Sequence, residues 1–219
     1  MSILFQPFSL KNLTLPNRFV RSATYDGMAE KNGRVSTGQI RLVEELAKGG
    51  VALIILGIAY VHPSGRISVF QNSLADDDCI PGFRNLAETA HEHGAKIAVQ
   101  LFHAGRETAK AFKPHRKQAL APSSILDDPN FQGAHRAMTE EEILEVIRAF
   151  GQAAGRAREA GLDAVQVHGA HAYLLSQFLS PFTNCRTDNW GGELENRLRL
   201  HREILRAIRA RAGEDYPVL

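Results

Sequence analysis

The chain has 219 residues, 44% of them hydrophobic and 23% charged, a balance that suits a globular protein with a large core rather than a disordered or fibrous chain. A formal net charge of +2 carries no global field that would argue for nucleic acid or a membrane surface as a partner. The two cysteines, Cys79 and Cys185, lack C-x-x-C spacing, and the longest apolar run, Val51 to Val61, is too short to span a bilayer, so a cytoplasmic protein in a reducing compartment is expected.

Phe19 to Thr24 reads as a first strand after the turn-like Leu15-Pro16-Asn17. Ile40, Val43, Leu46 and Ala47 recur at helical spacing between Thr37 and Gly49, and the glycine suits a left-handed helix stop. Val51 to Ile58 is then a continuous apolar run, the pattern of a strand buried on both faces. The cycle repeats: Phe83, Leu86, Ala87 and Ala90 make a helical face ending near Gly94, and Lys96 to Leu101 is the next strand. A basic cluster, Lys113 to Lys117, follows in a proline-containing loop and reads as solvated surface.

Thr139 and Glu142 form a T-x-x-E capping box for a long helix carrying Ile143, Val146, Ile147, Phe150 and Ala154 and closed at Gly161. Leu162 to Val167 is the fourth strand. A further helix is expected with Leu194, Leu198, Leu205 and Ile208 on its inner face, and Pro217 to Leu219 as the start of a fifth strand. Helical crossovers between apolar strands imply a parallel sheet, because parallel neighbours need a long connection. No G-x-G-x-x-G follows the first strand, which weakens the open nucleotide-binding sheet, while long polar segments after the strands and short turns before them favour a (β/α)8 barrel. Four to five βα units of such a barrel are present.

In a barrel the strand ends converge on one mouth. Ser22 to Tyr25, Gly57 to Ala59, Gln100 to Arg106 and His168 to Tyr173 would then face each other. His168 and His171 share the face of a helical turn, and three readings stand open: a metal pair lacking an obvious third ligand, a structural pair, or two donors to a substrate oxygen on which charge develops. Tyr173 would be a proton donor or core. Gln100, late in a buried strand, needs a partner, either neighbouring backbone or a flat heterocycle with donors and acceptors on its edge.

The stretches LFQPFSLKNLTLPNRFVRSA, PSGR, QLFHAGR, APSS, HGAHAYLLSQFLSP and TNCRTDNWGGELENR, in this order, resemble the Old Yellow Enzyme family of NADH:flavin oxidoreductases. The resemblance implies that residues 1–219 are the N-terminal portion of a flavin-binding barrel domain. It also implies FMN as cofactor and NAD(P)H as reductant, with Ser22, Ala23 and Thr24 against the flavin, Gly57 and Ile58 near its ring, and Gln100 on its pyrimidine edge. His168 and His171 would grip the electron-withdrawing group of an activated alkene and Tyr173 would protonate its α-carbon; no metal is implied. Where some relatives have Pro-Met or Pro-Leu followed by Thr or Cys, this chain has Ala23-Thr24-Tyr25. The family's basic residue on the fifth strand and its phosphate site would fall beyond Leu219, so weak flavin binding or none is expected of the chain alone. Two other readings remain, a metal-dependent barrel hydrolase using His168 and His171, and a non-catalytic half-barrel that self-associates.

Overall fold

The computed structural model describes residues 2–10, 12–111, 118–125, 128, 129, 131 and 133–219. The basic cluster at 113–117 lies outside the described residues. The chain opens with an antiparallel hairpin, β1 (Phe8–Leu10) and β2 (Leu13–Leu15), whose Leu13 and Leu15 are buried. Strand β3 (Val20–Arg21) leads to helix α1 (Thr37–Lys48), then β4 (Leu53–Tyr60), the short β5 (Asn72–Ser73), α2 (Ile80–Glu92) and β6 (Lys96–Phe102). Past β6 come α3 (Thr108–Ala111) and a small parallel pair, β7 (Ala119–Ala121) and β8 (His135–Ala137). The long helix α4 (Glu140–Glu159) returns the chain to β9 (Ala164–Val167), which is followed by α5 (Leu174–Leu179), α6 (Leu194–Arg197) and α7 (Arg199–Ala212).

The central sheet is parallel in the order β3-β4-β6-β9, with β5 beside the end of β4. Residues 217–219 add the beginning of a fifth strand: Val218 bridges Val165, and the Leu219 N–H donates to the Val165 carbonyl at 2.9 Å. This is the α/β arrangement of part of a barrel, coiled so that one face of the sheet is packed by helices and the other lines a concavity.

Strand periodicity of two divides the side chains between those faces. Ile54, Leu56, Ile97, Val99, Leu101 and Val165 pack against the helices in the main core, while Leu53, Ile55, Ala98 and Ala164 form a smaller cluster with Leu13 and Leu15 on the inner face. Each fully buried Ile or Leu of the outer layer contributes roughly 1.5–3 kcal/mol by leaving water. The capping box of α4 is present as expected: Thr139 Oγ1 accepts from the Glu142 N–H, and the Glu142 carboxylate accepts from the Thr139 N–H. The Arg136 guanidinium on that carboxylate holds Glu142 down at about 2.

Several expected elements are corrected. The first strand is confined to Val20–Arg21 rather than Phe19 to Thr24, because the chain then leaves the sheet to cross over Gly57. The second runs over Leu53–Tyr60 rather than Val51 to Ile58: the Val51 N–H still closes the turn after α1 on Leu46, and a bulge between Leu56 and Ile58 lets the strand continue. The left-handed residue after α1 is Gly50, at φ +84°, while Gly49 stays right-handed at φ −69°. The fourth strand begins at Ala164, two residues later than expected.

The final helix breaks at Leu198, so α7 takes its own phase and buries Leu200, Ile204, Ile208 and Ala212. Leu194 and Leu205 are exposed instead, and of the expected inner face Ile208 alone is buried.

Candidate active site

The inner face of the sheet rises from apolar to polar toward the strand ends. Ile58, Gln100 and Gln166 stand in register on β4, β6 and β9, each half-buried. Gln100 Nε2 donates to Gln166 Oε1 at 2.7 Å. Gln100 therefore has a partner, but it is the side chain of the next strand and not backbone. The pair leaves Gln100 Oε1 and the Gln166 amide N–H groups with no further protein partner among the described residues.

Two residues further along the same face, the next layer is aromatic. Phe102 ends β6, and His168 follows β9, tied to the third strand by its backbone N–H on the Leu101 carbonyl (3.1 Å). The Phe102 ring meets His168 edge-on at 5.4 Å between centroids and Tyr173 at 4.6 Å; the His168 and Tyr173 rings are 5.0 Å apart. His171 completes the group, 5.1 Å from the His168 ring. His168 is buried, Tyr173 half-buried and His171 exposed, so the cluster opens from an apolar floor to solvent.

Burial, and after it the neighbouring His171, hold the His168 imidazole below its ordinary pKa, which keeps it neutral. Its Nδ1 accepts from the Ala170 N–H at 3.3 Å, so the ring proton belongs on Nε2, facing His171 Nδ1 at 3.3 Å. Donation along this pair places the His171 proton on Nε2 at the exposed end. His171 and Ala172 are both left-handed, at φ 56° each, a strained conformation for residues with a Cβ that persists only where surroundings enforce it.

The segment after β3 lies beside this face. A Cβ on Gly57 would stand 2.6 Å from the Thr24 carbonyl oxygen, so only glycine lets the two backbones touch. Ser22 and Thr24 are exposed, Ala23 packs on the inner cluster, and the Tyr25 hydroxyl reaches Ser68 Oγ at 2.5 Å. Thr24 thus rests on Gly57, and Gln100 stands next to Ile58 in register.

The stretch from Gln100 to Arg106 divides, against the expectation that all of it faces the mouth. His103 is 1% exposed, with Nδ1 accepting from the Gly105 N–H and Nε2 2.9 Å from Ser64 Oγ; burial pushes its pKa down to about 3. Arg106 pairs with the buried Asp128 at 2.7 Å and lies over the Phe131 ring. Both are held by structure away from the His168 cluster.

Gln166 and Phe102 were not singled out from sequence. The argument applied to Gln100, an amide late in a buried strand, applies equally to Gln166 within AVQV. Nothing local marks Phe102. A cavity of about 420 Å³ lies lower on the inner face, bounded by Phe8, Leu13, Val20, Ile55, Gln166 and Leu219; it touches neither histidine nor Tyr173.

The donor and acceptor edge offered by Gln100 and Gln166, beside Ile58, fits a planar heterocycle carrying amide-like groups. Among the described residues no three His, Cys, Asp or Glu side chains come together as a metal would require, and no helix is long and apolar enough to cross a membrane.

Similarity to known proteins accords with this geometry. The chain is 45% identical over 207 residues to an NADPH dehydrogenase of Halalkalibacterium halodurans, covering 94% of this chain and 59% of that protein. Among solved structures, a 2-naphthoyl-CoA reductase complex superposes with a TM-score of 0.92 at 33% identity, over 99% of this chain and 34% of that one. Morphinone reductase in complex with tetrahydroNAD gives 0.88 at 30% identity, over 100% of this chain and 63% of that one. The chain thus spans between about a third and two thirds of the length of these relatives. Residues 3–219 match a single family throughout, and the chain belongs to the NADH:flavin oxidoreductase / NADH oxidase family.

Proposed function

We propose that this chain forms the ring-binding and substrate-polarising part of an FMN-dependent ene-reductase that uses NAD(P)H as reductant and an activated alkene as substrate. The observation that carries the reading is the stacking of two layers on one sheet face: the Gln100 and Gln166 amides, and directly above them His168, His171 and Tyr173 around Phe102. Ser22, Ala23, Thr24, Gly57 and Ile58 would wall the isoalloxazine, and Gln100 would read its pyrimidine edge. FMN, when bound, supplies the two-electron redox chemistry; the protein supplies orientation and electrostatics.

The chain's own residues account for the rest. His171 Nε2–H, exposed and backed by His168, is placed to donate to an electron-withdrawing oxygen. A donor aimed at a developing oxyanion contributes on the order of 3 kcal/mol. Tyr173, packed edge-on to Phe102 and His168, is positioned to deliver a proton, a contribution of about 10²–10⁴ in rate. His168 stays neutral through burial.

The test is a titration of the purified chain with FMN, followed by visible absorption, then NADPH oxidation with 2-cyclohexenone present. Any perturbation of the flavin spectrum is expected to be weak, saturating only at high concentration, and to be abolished by Gln100→Leu. Tyr173→Phe should leave that perturbation intact while slowing alkene reduction at least 100-fold. A flavin spectrum perturbed equally by the wild-type chain and by Gln100→Leu would overturn the reading for this chain.

A second reading, self-association, is favoured by the open inner face, where Phe8, Leu10 and Val20 are 40–46% exposed around the cavity. Sedimentation velocity over a range of concentrations tests it, and an invariant monomer rejects it.

A further inference from the structure

We infer that Gln177 is a positioning residue that locks the loop carrying His171 and Tyr173 onto the end of the third barrel strand, joining the QLFHAGR and HGAHAYLLSQ stretches into one unit. The inference rests on the reading of His168, His171 and Tyr173 as the substrate-facing group, but concerns a residue that touches none of the reacting atoms.

Gln177 sits in α5 and is 1% exposed. Its amide bonds both sides of the gap between the two loops, twice to the third strand's loop and once to its own. Oε1 accepts from the Arg106 N–H at 3.1 Å; Nε2 donates to the Ala104 carbonyl at 3.2 Å and to the Ala172 carbonyl at 2.6 Å. Ala172 is the residue between His171 and Tyr173, and it and His171 are the two left-handed non-glycine residues of the chain's described part. A strained pair of this kind relaxes unless something holds it, and the Ala172 carbonyl is where the Gln177 amide holds.

The other side of the clamp is shaped to match. Gly105 has φ +61°, and a Cβ there would collide with the Gln177 amide. The Leu174 N–H adds a parallel tie to the His103 carbonyl at 3.1 Å. Gln177 thus transmits the position of the strand end, where Gln100 and Phe102 are fixed by the sheet, to the loop that carries the imidazole and the phenol. An isosteric apolar side chain would keep the packing of α5 and lose all three bonds.

The experiment uses the full chain without flavin, so its outcome does not depend on cofactor binding or turnover. Histidine and aromatic side chains are followed by NMR in wild type, Gln177→Met, Gly105→Ala and, as a control for stability alone, Phe178→Leu on the same helix. In Gln177→Met the ring-to-ring contacts of Phe102 with Tyr173 and His168 should be lost and the His168 titration should move up toward ordinary imidazole as the loop admits water. Gly105→Ala, which keeps Gln177 but drives a methyl group into its amide, should give the same signature even if Gln177→Met does not fold. Phe178→Leu should lower the unfolding midpoint and leave both readouts in place. Retention of the ring contacts and of the His168 titration in Gln177→Met, or in Gly105→Ala where that variant alone folds, would overturn the inference. Failure of alkene reduction in the wild type would leave it standing.

Discussion

His171 Nδ1 lies 3.3 Å from His168 Nε2, and the two rings are set nearly edge to face. One imidazole is buried and the other exposed. The inner ring keeps its neutral form because burial and the neighbouring histidine both oppose its charge.

Removing His171 should therefore relieve His168. His171→Ala takes away the second cause of the depression and opens the cluster to water, so the His168 midpoint measured by NMR should rise. A midpoint that stays put or falls would show that the pair is not coupled as the geometry requires.

His103 should make stability depend on acid. Its folded-state pKa of about 3 lies below the unfolded value of 6.5, so its stabilising contribution is complete above about pH 6.5 and is lost as pH falls toward 3. Over the first 1.5 pH units below the unfolded value the loss is on the order of 2 kcal/mol. Urea unfolding at pH 7 and pH 5 measures it, and His103→Gln should flatten the dependence by about one proton. His168 acts with the same sign.

Gly57→Ala should destabilise the protein by about 1–3 kcal/mol, because the new methyl meets the Thr24 carbonyl, a backbone atom that cannot rotate away. Urea unfolding gives the number. Neutral behaviour would mean that residues 22–25 do not rest on the second strand.

Gln166→Leu should leave Gln100 without its acceptor. Because both amides are half-buried, the cost is modest, about 1 kcal/mol in urea unfolding. Gln166→Glu keeps an acceptor and should cost less. The Gln100 side-chain amide proton bonded to Gln166 should move upfield in the leucine variant and stay downfield in the glutamate one.

Much of the scaffold is legible without coordinates because it is encoded locally. The apolar face of α1, the T-x-x-E cap at Thr139 and the β-branched run of the second strand each carry their periodicity within a dozen residues. Differences fall where a distant contact or a break between helices intervenes. The first strand is cut short by the crossing at Gly57, and α7 shifts phase because the chain breaks at Leu198. The hairpin β1–β2 is not legible in the sequence, since its strands are short and four of their six residues face solvent.

By itself the sequence determined the alternation of strands and helices, the parallel sheet that follows from it, and the few polar residues stranded at strand ends, because hydrophobic periodicity and caps act over neighbouring residues. Tertiary structure alone decided that Gln100 meets Gln166, that Phe102 packs against both His168 and Tyr173, and that His103 turns toward Ser64 instead. The glutamine and aromatic pairings depend on the register of strands separated by more than 60 residues, which the sheet establishes only when its hydrogen bonds close.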